Sequence, residues 1–62
     1  MTTATRLDQA HIRAAQTLSH LQGAASDASP LECLTLMPLI QRAAELERDI
    51  LALASAIRKS AQ

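Results

Sequence analysis

The stretch that decides the fold is residues 36–57, LMPLIQRAAELERDILALASAI. Within it Leu36, Leu39, Ala43, Leu46, Ile50, Leu53 and Ile57 fall at alternating spacings of three and four. Such spacing lays one apolar stripe along a helix, the seam by which a helix packs on another helix. A second stripe runs beside it through Met37, Ile40, Ala44, Leu51 and Ala54, interrupted by Glu47. The apolar face is therefore wider than one short partner helix can cover.

Reading back toward the N-terminus, Ser29-Pro30-Leu31-Glu32 marks where this helix begins. A serine N-cap, a proline at the first helical position and a glutamate at the third form a capping box. Pro38 follows eight residues later and lacks the amide needed for a helical hydrogen bond. The sequence predicts a helix over about 30–59 that is kinked or broken near Pro38. On its polar side Arg42, Glu45, Arg48 and Asp49 stand at pairing distances of three and four, and Arg58 and Lys59 suit the C-terminal end of the dipole.

Upstream, Leu7, His11, Ala14, Leu18, Leu21 and Ala25 keep the same spacing and predict a first helix over about 4–22. Thr5 with Asp8, or alternatively Thr3, supplies its cap. Gly23 is the only glycine and stands where a left-handed C-cap would end that helix, leaving a loop over about 23–29. The chain thus reads as one all-α domain over residues 1–62, an antiparallel two-helix hairpin with the longer second helix completed by oligomerisation or by a partner.

Composition narrows the function. The 62 residues include thirteen Ala and ten Leu but no Phe, Tyr, Trp or Val, which favours helix over sheet. Six basic and six acidic residues cancel without forming blocks. A nucleic-acid surface would show a basic excess, and single-strand binding would use aromatic stacking, so nucleic acid is not expected as a partner. Residues 1–10 lack the apolar core of a signal peptide, and no apolar run approaches the roughly 20 residues that span a bilayer. Membrane insertion is not expected either. A single cysteine, Cys33, allows no internal disulfide and fits a reduced, cytoplasmic setting.

No residue pattern points to catalysis, a cofactor or a small-molecule substrate. His11 and His20 are nine apart, on opposite sides of a helix, and cannot share one metal ion. His20, Asp27 and Cys33 could converge across the loop, but their spacing matches no zinc pattern. Cys33 has no histidine near it in sequence to activate a thiolate. Glu45, Glu47 and Asp49 are interleaved with arginine and spread over different helix sides, which reads as a solvated face.

The opening residues Met1-Thr2-Thr3-Ala4-Thr5-Arg6-Leu7-Asp8, followed by two helices across a small-residue loop, resemble the small type III secretion needle co-chaperones of the YscE/SsaE kind. That resemblance implies a cytosolic helical hairpin that binds a larger helical-repeat chaperone and helps to hold a needle subunit unpolymerised. From the residues themselves, the expectation is a non-catalytic adaptor or co-chaperone that binds a helical partner. A self-assembling four-helix bundle, or a small protein inhibitor such as a phage-encoded one, is the alternative. With the first helix ending near residue 22, the end of the second lacks cover. The expected interface is therefore Met37, Ile40, Ile50, Leu51, Leu53 and Ile57.

Overall fold

Three threonines near the N-terminus compete to cap the first helix, and the earliest, Thr2, does so. Its backbone is extended, with φ −77° and ψ 164°, and its hydroxyl accepts the Thr5 amide hydrogen at 3.1 Å. The Thr5 hydroxyl lies 2.8 Å from that of Thr2, inside the helix and not at its cap. Capping one turn earlier adds backbone hydrogen bonds at little cost. In this computed structural model, which describes residues 2–61, α1 spans Thr3–Asp27 and α2 spans Pro30–Ala61. Met1 and Gln62, which belong to the expected domain and, for Met1, to the resemblance, lie outside the described residues.

Gly23 does not end α1. No described residue has a positive φ, and the helix continues through Ala24, Ala25, Ser26 and Asp27. The stop comes from Pro30. A residue that precedes proline is biased toward the extended region, and Ser29 follows that bias where no further helix turn holds it. Ala28 is already extended, at φ −84° and ψ 153°, and its amide donates to the Ala25 carbonyl at 3.3 Å. The loop is thus only Ala28 and Ser29, where the sequence suggested seven residues.

The capping box at the start of α2 forms as read. The Ser29 amide donates to Glu32 Oε1 at 2.9 Å, and the Glu32 amide donates to Ser29 Oγ at 3.3 Å. The Cys33 amide donates to the Ser29 carbonyl at 2.9 Å, closing the first turn. Pro38 lies inside a single helix, so the broken-helix alternative does not occur. The molecule measures 49 × 16 × 10 Å, and its long dimension matches the roughly 48 Å of an uninterrupted 32-residue helix. Pro38 is exposed on the outer side of α2, where the Leu34 carbonyl it leaves without a donor can turn to water.

The two helices pack antiparallel, with His11 beside Glu47 and the Cys33 thiol beside the Ala25 carbonyl. The partly or fully buried positions of α1 include Leu7, His11, Ala14, Leu18, Leu21 and Ala25, the seam expected from the sequence. Those of α2 are Cys33, Leu36, Ile40, Ala43, Ala44, Glu47, Ile50, Ala54 and Ile57. This seam shares Leu36, Ala43, Ile50 and Ile57 with the expected one but replaces Leu39, Leu46 and Leu53 by Ile40, Glu47 and Ala54. The helix is turned about its axis toward the second stripe. Among the described residues the buried ones are small: Ala54 at 1% exposure and Ala43 at 9%.

Candidate functional site

Two polar contacts across the helices accompany this rotation. His11 sits in the middle of the α1 seam, about a quarter exposed, with its Nε2 3.2 Å from Glu47 Oε1. The two groups touch without the alignment of a hydrogen bond, which leaves that buried nitrogen without one. Had Leu46 occupied the seam, the imidazole would face hydrocarbon, which is costly for a half-buried polar group. Near the open end, Arg58 pairs with Asp8 on one flank. Both contacts need Glu47 and Arg58 turned toward α1, and that turn carries the leucine stripe outward.

The register follows from the short loop. With α1 extended to Asp27, Leu18 stands about level with Ile40, Leu7 with Ile50 and Leu51, and Ala4 with Ala54. The uncovered end of α2 is therefore far shorter than the sequence implied. Of the six expected interface residues, Ile40, Ile50 and Ile57 are half-buried. The reason is the position of the helix stop, at Pro30 instead of Gly23. Met37, Leu51 and Leu53 are exposed.

What the sequence missed is the ridge of Leu39, Leu46 and Leu53, 43%, 55% and 52% exposed. These three lie one heptad apart on one flank of α2, the flank opposite the Asp8–Arg58 pair. Arg42 and Asp49 border the ridge on its outer side, both exposed. Met37 and Leu51 lie on the other flank, and Leu31 and Leu34 are exposed near the loop. The signal for this choice was present in the sequence: a histidine in one seam requires a polar neighbour in the other, and Glu47 was the residue placed to supply it.

No family model, no curated protein and no solved structure matches this chain. Among the described residues no three of His, Cys, Asp and Glu come together to hold a metal ion. His20 and Asp27 are exposed, and Cys33 points its thiol to the Ala25 carbonyl at 3.5 Å. The cap of α2 shifts the carboxyl of Glu32 from its ordinary value. The Ser29 amide, and then the Ser29 hydroxyl, hold its carboxyl below the usual range. The dent bounded by Gln9, Ile12, Arg13 and Gln16 lies on the outer face of α1 alone, with no second element to close it. Among the described residues no helix is long and apolar enough to cross a membrane.

Proposed function

We propose that this protein is a non-catalytic binding module, an adaptor or co-chaperone of the cytoplasm that receives a helical protein partner on the outer face of α2. The observation that carries this reading is the exposure of large aliphatic side chains along α2, with Leu39, Leu46 and Leu53 on one flank and Met37 and Leu51 on the other, each 43–55% exposed. Such a surface is of the form that an amphipathic partner helix fits. The resemblance of residues 1–8 to needle co-chaperones suggests a helical-repeat chaperone as one such partner.

Recovery of complexes from the native cell with a tagged chain tests this reading. Leu53→Asp places a carboxylate within the contact and should remove the bound protein. Arg48→Asp, off the ridge, should retain it. Equal recovery with both variants, or a wild-type chain that binds nothing and does not self-associate, would overturn the reading.

A further inference from the structure

We infer that the Leu39–Leu46–Leu53 ridge is occupied by a second copy of this chain, packed antiparallel about Leu46. This rests on the reading of α2 as a binding helix and names the occupant of one of its two flanks. An isologous contact must be self-complementary: each group must meet its counterpart when the helix is reversed upon itself. The ridge has that property. Reversing α2 about Leu46 sets Leu39 against Leu53 of the second copy, Leu46 against its equivalent, and Leu53 against Leu39.

The charges beside the ridge obey the same symmetry. Arg42 precedes Leu46 by four residues and Asp49 follows it by three, on the same outer side. In the reversed pair, Arg42 of one copy comes within one residue of the level of Asp49 of the other, and the contact occurs twice. Neither side chain takes part in either ion pair that the hairpin makes among its described residues. Within one helix the two stand seven residues apart, about 10 Å along the axis, too far to pair with each other. A like-charged arrangement at these positions would have opposed self-association, and a net charge of zero removes long-range repulsion between copies.

The ridge is also open to approach, with Leu39, Leu46 and Leu53 43%, 55% and 52% exposed. On α1 the flank beside the ridge carries Thr3, Ala10, Thr17 and Ala24, all small, so the leucines project past α1 and a second helix can approach them.

Light scattering across a concentration series reads the mass directly. Wild type should move from 6.6 kDa to twice that value. Leu46→Asp, at a position more than half exposed in the hairpin, should stay monomeric while its circular dichroism remains helical. Arg42→Asp and Asp49→Arg each turn two attractions into two repulsions and should each weaken the dimer about tenfold. An equimolar mixture of these two variants should dimerise to within about threefold of wild type, because every contact between unlike copies is again attractive. A dimer indifferent to Leu46→Asp and to the charge reversals would overturn the inference by placing the contact elsewhere, on the Met37 and Leu51 flank. A wild-type monomer at every concentration would overturn it too. If that monomer still binds a cellular protein in a manner sensitive to Leu53→Asp, the binding-module reading stands without self-association; if it binds none, both fall.

Discussion

Replacing Gly23 by alanine tests the register of the whole hairpin through the sign of one number. In the structure Gly23 lies inside α1, its φ is not positive, and a Cβ built there meets nothing within 4 Å. Alanine then removes backbone freedom from the unfolded chain and adds no clash. Stabilisation of about 0.5–1 kcal/mol is expected. For a domain of this size, 1 kcal/mol raises Tm by about 4–8 °C. Had Gly23 been a left-handed cap at the end of a shorter helix, the same substitution would strain the backbone and lower Tm. Thermal melts followed by circular dichroism, at one fixed protein concentration because association also shifts Tm, separate the two cases. A lower Tm for Gly23→Ala would refute the continuous α1, and with it the two-residue loop and the register in which Leu18 stands level with Ile40.

Ser29→Ala should cost about 0.5–2 kcal/mol by removing the hydroxyl that caps α2, measured by the same melts. Ser26→Ala should be close to silent, since that hydroxyl only bonds back to the Gln22 carbonyl of its own helix at 3.2 Å. Pro38→Ala should stabilise the hairpin, by up to about 3 kcal/mol, by restoring a donor for the Leu34 carbonyl within a helix that is already continuous; a fall in urea midpoint would show instead that the ring makes a contact the fold needs. The carboxyl of Glu32 is held below the ordinary glutamate value of 4.5 in the folded chain. A depressed folded value means that its stabilisation is complete above the unfolded value and is lost as pH falls through the lower, folded one. The difference in Tm between wild type and Glu32→Ala should therefore be constant above about pH 6 and shrink toward pH 3, and a difference that does not change would remove the ion from the cap.

The number of helices, the cap at Ser29 and the seam of α1 were legible in the sequence because each depends on residues within one turn of one another. Ser29, Pro30 and Glu32 close a capping box wherever they occur together, and the spacing from Leu7 to Ala25 marks one helix face in any surroundings. Gly23 misled because a glycine carries two local meanings, a left-handed cap or a tolerated helix position, and the cost that separates them is only about 1 kcal/mol. The alanines after it and the contact of Ala25 with the start of α2 decide for helix. The choice of seam on α2 was not a local matter at all. Its apolar face is broad enough to be turned toward Leu39, Leu46 and Leu53 or toward Ile40, Glu47 and Ala54, and both settings keep Leu36, Ala43, Ile50 and Ile57 inward. Only the opposing helix distinguishes them, and the observed setting is the one that places Glu47 beside His11 and Arg58 beside Asp8. Tertiary packing thus enclosed alanines, set His11 beside Glu47 in the half-buried seam and left three leucines at the surface.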